Sequence, residues 1–549
     1  NLRDGLCFCL CEIGNKYYDN RNFYHAENNF LEAAKLNPSK SEYFFNLGNA
    51  CYAQGKFKTA LEHYNSSLTL HYESETLSCI GNSLKSIGKF SEAIKFYTTA
   101  LNECPNLIHT EIELTHLKQN VCDWNNISAH FRNIKSHIDN IDSGNISPFT
   151  VLSMPGISSK DQLKVSSSWA KNLAQKIQKV KRNNSKNEKI KIGYLSSDFR
   201  LHPLYFLIID IFKNHNKDDF DIILYYSGKY EDTAAHNDFK SLGFDFINIS
   251  ELSNEAAAKL IASKGTDILV DLSGFTKNSR SILAAYKPAR KHINWLGFPC
   301  TMGFINSSPL YDYILADRYI VPETHKLNYA ENIIYLPNCY QPNIKNRPPL
   351  LPVNKKQFGF SDDVFIFASF GQSIKITEKQ FNLWLRILKK TSNSILWLLE
   401  SNTSCMKNLA LFAEKKGIEA SRIIFAKKID IDEHINRQQI IDLYLDTFPY
   451  NSHTSASDAI WAHCPVITKS GDTFSSRVAG SILTEIGCCE LIVDSDESYV
   501  NEAIRYASDK ESLNLIKEKI IKGKKESTLF KPEVFTENIE KIFLDVLSN

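Results

Sequence analysis

The stretch Leu445-Asp446-Thr447-Phe448-Pro449-Tyr450-Asn451-Ser452-His453-Thr454-Ser455-Ala456-Ser457-Asp458 runs from an apolar strand through a polar turn into the start of a helix. His453, Thr454 and Ser455 fall at the helix N-cap. Unpaired backbone N–H groups and the helix dipole make such an end suitable for phosphate. The hydroxyls of Thr454 and Ser455 add neutral donors, and Asp458, one turn further on, is placed to accept from a sugar hydroxyl. An ordinary capped helix with nothing bound has the same spelling, and on spacing alone the two readings weigh equally. The order strand, turn, helix is what sets the fold: it is the unit of an open parallel α/β sheet, in which ligands bind beyond the carboxyl ends of the strands.

Moving outward, Phe365–Phe370, Ser394–Leu399, Arg422–Ala426, Leu443–Asp446 and Pro465–Lys469 read as strands. Thr377–Thr391, Asn408–Lys416, His434–Tyr444 and Ala456–His463 read as the helices between them. Upstream of a proline-rich break, Pro342 to Pro352, a similar series occurs: Lys189–Leu195, Phe220–Tyr226, Asp267–Leu272, Ala289–Leu296 and Tyr313–Ala316, with a helix at Glu255–Ser263. Two successive doubly wound domains leave a cleft between them. Neither GxGxxG nor GxxxxGK(S/T) occurs, so ordinary dinucleotide and P-loop readings lack their fingerprints.

The first hundred residues carry a repeat. Gly14, Gly48 and Gly81 recur at spacings of 34 and 33, and Ala26, Ala60, Ala93 and the aromatics Phe30, Tyr64, Tyr97 keep the same rhythm. This is the tetratricopeptide pattern: small residues let two helices cross, and large rings fill the gap between pairs. At least three helical hairpins are expected over residues 10–106, as a right-handed superhelical stack whose concave face holds a protein or peptide. Arg21 stands where a turn glycine is usual, Tyr72 where a proline is usual, and the spacing of 33 implies one residue fewer in that turn. Residues 107–135 continue helical. Lys171–Lys189 reads as a solvated helix followed by a surface linker, since its charges have no interleaved aromatics.

A chain of 549 residues is too long for one domain. The expected division is 1–120 repeats, 121–187 helical linker, 188–345 first Rossmann-like domain and 346–549 second Rossmann-like domain, the one to which the resemblance given below assigns nucleotide-sugar binding. With 43% hydrophobic and 23% charged residues, wholesale disorder is excluded. The 64 basic and 62 acidic residues nearly cancel, which gives no support for a general nucleic-acid or anionic-membrane binder. No apolar run reaches the roughly 20 residues of a membrane span. Asn1-Leu2-Arg3-Asp4 has no secretion-signal pattern, and thirteen scattered cysteines without CxxC spacing point to a reduced, cytoplasmic protein with Cys488-Cys489 structural.

A repeat array followed by two α/β domains resembles the O-linked N-acetylglucosamine transferases, glycosyltransferase family 41, in its bacterial-type branch. The resemblance rests on Gly193-Tyr194-Leu195-Ser196-Ser197-Asp198-Phe199 with His202-Pro203, Asp271-Leu272-Ser273-Gly274-Phe275-Thr276, Trp295-Leu296-Gly297-Phe298-Pro299, Asp312-Tyr313, Phe370-Gly371-Gln372-Ser373-Ile374-Lys375-Ile376, Arg422-Ile423-Ile424-Phe425, Glu433-His434 and the 445–458 block. It implies a GT-B fold and an inverting, metal-independent transfer of N-acetylglucosamine from UDP-GlcNAc to Ser/Thr hydroxyls of a protein recruited by the repeats. The UDP-sugar is then a co-substrate, with no separate cofactor. By the same resemblance, Lys375 neutralises the departing diphosphate, a task a point cation performs well. Gln372 lies near the phosphates, and His453, Thr454 and Ser455 contact ribose and pyrophosphate. Asp458 binds ribose, His434 stacks on uracil with Arg437 beside it, and Gly297 and Pro299 belong to the loop approaching the sugar. His202 is either a general base or a group that positions acceptor or sugar. Ile431 replaces a uridine-contacting lysine, while Phe275 and Cys300 also depart from the pattern and bear on donor or acceptor choice. The alternatives are another donor, UDP-glucose or GDP-fucose, and a non-catalytic scaffold. The Asp494-Ser495-Asp496 spelling fits a metal-binding D-x-D, but its place late in the chain reads as a solvated loop or N-cap. His292, His325, His434, His453 and His463 show no zinc-ligand spacing.

Overall fold

A computed structural model describes residues 2–140, 146–175, 177–183, 188–229, 231 and 233–548. The chain divides into two units: residues up to 137 with 402–405, and residues 138–401 with 406–549.

The first unit is built of antiparallel helix pairs: α1 (Leu2–Asp19) with α2 (Phe23–Leu36), α3 (Ser41–Ala53) with α4 (Phe57–Leu70), and α5 (Ser74–Ser86) with α6 (Phe90–Glu103). Helices α7 (Ile108–Asn120) and α8 (Ile127–Asp139) follow. The reason for the glycine period is steric. A Cβ on Gly14, Gly48 or Gly81 would lie 2.6, 2.6 and 2.5 Å from the ring of Phe30, Tyr64 or Tyr97, the aromatic of its own repeat. Each tyrosine also donates its hydroxyl to an asparagine, Tyr64 to Asn49 and Tyr97 to Asn82, both at 2.7 Å. Arg21 takes the left-handed conformation (φ 59°) that Gly55 and Gly88 adopt in the next two turns (φ 80° and 81°). The turn spanning 71–73 is a residue shorter than those at 37–40 and 104–107, which locates the deletion in the repeat spacing.

The second unit holds two parallel sheets. Strands β1 (Ile190–Ser196), β2 (Phe220–Tyr226), β3 (Asp245–Asn248), β4 (Ile268–Asp271), β5 (Lys291–Asn294), β6 (Tyr313–Ala316) and β7 (Asn332–Tyr335) form the first, in the order β3-β2-β1-β4-β5-β6-β7. Strands β8 (Phe365–Ser369), β9 (Ser394–Leu399), β10 (Ile423–Ala426), β11 (Leu443–Leu445), β12 (Val466–Lys469) and β13 (Ile492–Val493) form the second, in the order β10-β9-β8-β11-β12-β13. In both, the chain winds first to one edge and then to the other. The switch points lie between β1 and β4 and between β8 and β11, where crossover connections part and leave a crevice. The closing helix Pro532–Ser548 returns to the first sheet: Phe543 packs on Tyr194 at 6.5 Å, Phe535 stacks on Trp295 at 5.6 Å, and His215 Nδ1 lies 2.8 Å from Glu540.

Two expectations are corrected, and two strands are added. His434–Tyr444 is not one helix. An α-helix covers Ile431–Asn436, a 3-10 turn covers Arg437–Ile440, and Leu443–Leu445 is already strand β11. The buried Arg437 turns inward to donate to Lys427 O, so the segment bends at that residue. Nor does Lys171–Lys189 begin as a solvated helix, although the irregular segment expected after it is present. The helix is Ser159–Leu173, whose Gln162 accepts from Cys300 Sγ and whose Ser167 Oγ accepts from Phe304 N. Residues 177–183 then run without regular structure along the first domain, Val180 N and Asn183 N donating to Tyr286 O and Ala262 O. Strands β3 and β7, both short and half-exposed, were absent from the sequence reading. Residues 184–187 of the expected linker, and Gly144, lie outside the described residues.

Candidate functional site

The site of the second sheet forms where β8 and β11 part. Strand β8 ends at Ser369, and Phe370-Gly371-Gln372 lead into the 3-10 turn Ser373–Lys375. Lys375 points across the switch point. Its Nζ donates to Asn451 O at 2.7 Å and sits 3.9 Å above the Tyr450 ring. Burial lowers its pKa from 10.5 to about 8, with the charge of Asp446 opposing. Gln372 is exposed at the start of the turn.

The loop facing Lys375 hangs on Asp446. This buried carboxylate accepts from Thr447 N at 2.8 Å, Ser452 N at 2.6 Å and Thr468 Oγ1 at 2.6 Å, while burial pushes its pKa up to about 6. Asn451 ties down the crown of the loop through Nδ2 to Thr447 O (2.8 Å) and N to Ser475 O (2.9 Å). The loop then opens the helix Thr454–Trp461 with His453 as N-cap (φ −108°, ψ −92°). No side chain caps this end, and the N–H groups of Thr454 and Ser455 have no partner among the described residues. The helix end and Lys375 together concentrate positive potential around His453. Burial and the neighbouring Lys375 push the pKa of His453 well down, so its ring is neutral. Asp458, four residues after Thr454, is buried and bound to Arg347, whose Nη1 donates to its Oδ1 at 2.5 Å.

At the far end of the crevice, His434 Nδ1 meets Arg437 Nη2 at 2.6 Å. Burial, and secondarily Arg437, lower its pKa to about 4, so it too is neutral. Arg437 is buried, its guanidinium 4.9 Å from the Phe370 ring and 5.6 Å from that of Trp397. It acts as the shelf behind His434 more than as a surface group. Ile431 begins the same short helix.

In the first sheet, His202 lies on the turn after β1. Its Nδ1 accepts from Leu204 N at 3.2 Å, and burial lowers its pKa. A neutral ring whose Nδ1 accepts carries its proton on Nε2 and therefore presents a donor. Gly297 sits where a Cβ would fall 2.1 Å from Leu272 O, so the loops after β4 and β5 touch backbone to backbone. Pro299 is buried beside it, and Phe298 meets Phe275 at 5.6 Å. Tyr450, from the second sheet, packs on the cluster that contains Phe275, Phe298 and Cys300. The loop bearing Gly297 and Pro299 thus meets the Lys375 site through one aromatic ring. Phe275 and Cys300 are core residues of this junction. Asp496 is paired with Lys379 and Lys469, each at 2.5 Å, and Ser495 caps the helix Asp496–Ser508, the N-cap form of that motif.

Sequence reasoning missed Arg347, Asp446 and Tyr450 as parts of the site. Arg347 lay in a stretch read as a break. Asp446 was read as the end of a strand, although an aspartate closing an apolar strand is a signal for a loop-holding acceptor.

Two parallel α/β domains joined across paired switch points, with an uncapped helix end and a half-buried lysine between them, define a GT-B fold. The chain belongs to glycosyl transferase family 41, whose model matches residues 121–342 and 344–539. A solved structure of a Thermobaculum terrenum O-GlcNAc transferase mutant superposes with a TM-score of 0.72 at 20% identity, covering 100% of this chain and 98% of that one. A probable UDP-N-acetylglucosamine–peptide N-acetylglucosaminyltransferase, SEC, from Arabidopsis thaliana is 32% identical over 363 residues, 65% of this chain and 37% of the relative. A UDP-N-acetylglucosamine–peptide N-acetylglucosaminyltransferase of Caenorhabditis elegans is 24% identical over 468 residues, 65% and 40% respectively. The chain therefore spans well under half the length of these curated relatives.

Proposed function

We propose that this chain transfers N-acetylglucosamine from UDP-GlcNAc to Ser/Thr hydroxyls of polypeptides, with inversion at the anomeric carbon. The acceptor oxygen bonds to C1 as the bond from C1 to the diphosphate oxygen breaks, the hydroxyl proton leaves to a base or solvent, and UDP departs. The observation that carries this reading is the half-buried Lys375 ammonium opposite the uncapped start of the helix Thr454–Trp461. Negative charge grows on the diphosphate as the bond breaks, and a fixed cation with oriented N–H donors stabilises that charge most where water is excluded. Lysine and helix end supply here what a divalent cation supplies elsewhere.

The remaining residues fall along one ligand. Phosphates meet Lys375, Gln372, Thr454 and Ser455, with the neutral His453 beside them. The ribose meets Asp458, one turn up the same helix, about 6 Å along its axis. Uracil lies on His434, backed by Arg437. The sugar faces Gly297, Pro299 and Tyr450. His202 acts through Nε2–H as a donor that positions acceptor or sugar, since its Nδ1 is engaged. The repeats recruit the acceptor, and the thirteen free thiols support a cytoplasmic setting. Among the described residues, no helix is long and apolar enough to cross a membrane.

The test is intact-mass analysis of cell proteins co-expressed with the enzyme or its Lys375→Ala variant, combined with competition of UDP-GlcNAc, UDP-glucose and GDP-fucose in donor hydrolysis. Mass increments of one N-acetylhexosamine, lost in the variant, are expected. Preference for UDP-glucose or GDP-fucose moves the reading to another donor, and absence of UDP binding leaves a repeat scaffold.

A further inference from the structure

Between β7 and β8 the chain crosses from one sheet to the other, and residues 341–348 lie along the helix that carries Asp458. Gln341 Nε2 donates to Ser457 Oγ at 3.2 Å, and Trp461 Nε1 donates to Pro348 O at 3.0 Å. Arg347 lies between these contacts, its side chain 2% exposed. Nη1 donates to Asp458 Oδ1 at 2.5 Å, and Nη2 to Asn343 Oδ1 at 2.6 Å and Ser457 Oγ at 3.4 Å. The guanidinium lies 5.3 Å from the Phe530 ring. Asp458 Oδ2 has no hydrogen-bond partner among the described residues. A rigid guanidinium fork that fixes one carboxylate oxygen leaves the other in a defined direction.

We infer that Arg347 is a positioning residue for donor recognition: it keeps Asp458 ionised and aims its Oδ2 at the ribose hydroxyls of a nucleoside diphosphate. The inference rests on the UDP-sugar reading above. Its physical basis is that a carboxylate this deeply buried takes up a proton unless a cation faces it. A protonated or turned Asp458 accepts poorly from two hydroxyls. Burial raises the pKa of Asp458 even with Arg347 present and opposing. The crossing segment thereby sets how tightly the nucleotide is held.

The experiment is calorimetric titration of the full chain with UDP and with 2′,3′-dideoxy-UDP, which lacks the hydroxyls in question. Wild type is expected to prefer UDP by about tenfold or more, the worth of hydrogen bonds to a charged acceptor. Arg347→Gln is expected to lose most of that preference while its affinity for dideoxy-UDP stays within about twofold of wild type. Arg347→Lys, which keeps the charge, retains more of the preference than Arg347→Gln. Combining Arg347→Gln with Asp458→Asn weakens UDP no further than Asp458→Asn alone, because both act on the same contact. Equal weakening of both nucleotides in Arg347→Gln marks a purely structural role and overturns the inference, as does undiminished preference. If the glutamine variant does not fold, a loss confined to UDP in Arg347→Lys supports the inference, and equal loss for both nucleotides refutes it. Wild type that binds no UDP overturns the nucleotide reading itself, and this inference with it.

Discussion

Replacing Lys375 by methionine should make the protein more stable while removing its activity. The pKa of the lysine falls from 10.5 in the unfolded chain to about 8 in the fold, burial being the larger cause. At about 1.4 kcal/mol per pH unit, keeping the ammonium charged at pH 7 costs about 3 kcal/mol relative to the unfolded state. Methionine removes that cost but also the hydrogen bond to Asn451 O, about 1 kcal/mol. The net expectation at pH 7 is a gain of about 2 kcal/mol. The sign with pH is fixed. Between pH 8 and 10.5 the unfolded lysine holds a proton that the folded one has released, so wild-type stability gains from this residue as pH rises through that window. Lys375→Met lacks the gain, and the gap between the two proteins should close by pH 10.5. Urea denaturation at pH 7, 8.5 and 10, followed through tryptophan fluorescence, to which Trp384 and Trp397 of the second domain contribute, measures the gap. UDP titration of the same samples should show binding lost in the variant, and binding that weakens in wild type above pH 8. A variant less stable than wild type at pH 7, or a gap that does not narrow with pH, refutes the view that Lys375 is a desolvated cation held ready for a diphosphate.

Other expectations follow from single contacts. Gly81→Ala drives a methyl into the Tyr97 ring and should lower the stability of the repeat unit by about 1–3 kcal/mol in thermal denaturation, with UDP affinity unchanged. His202→Gln, which keeps an N–H donor, should retain about tenfold more transfer activity than His202→Ala; equal loss in both restores the general-base role. Asp446→Asn removes the charge that holds Thr447 N and Ser452 N, and should weaken UDP about tenfold by calorimetry with the helical content preserved by circular dichroism.

The repeats were legible because their geometry depends on side chains that alternate between nothing and a ring. Gly14, Gly48 and Gly81 are spelled in the sequence at the same interval as the rings they admit. Strands β2, β6 and β9 were legible to the residue because strands buried on both faces of a parallel sheet are continuous apolar runs. Strands β3 and β7 lie at sheet edges, where burial on one side leaves no such run. The misread His434–Tyr444 segment has helical spelling throughout. What breaks it is the tertiary demand that Arg437 reach Lys427 O under two aromatic rings, and no local pattern encodes that. In the site, residues set at helix starts and strand ends could be named in advance, because strand–turn–helix junctions place them. Arg347 could not, since its partner lies 111 residues away and only the folded crossing brings them together.

The switch point between β8 and β11 has a consequence for how such a chain can change over time. The Lys375 end of the crevice is written in two short passages, 370–375 and 446–458, each hung on one of the two central strands. Of the outer strands only β12 contributes, through Thr468 Oγ1 on Asp446. Strands β9, β10 and β13 need only remain apolar and in register, a requirement that many spellings meet. Most substitutions in this half therefore leave the chemistry untouched, and a chain can drift to 20% identity with a protein whose path through space it still follows. The text that must be copied faithfully is about twenty residues long; the rest of the sheet is the page it is written on.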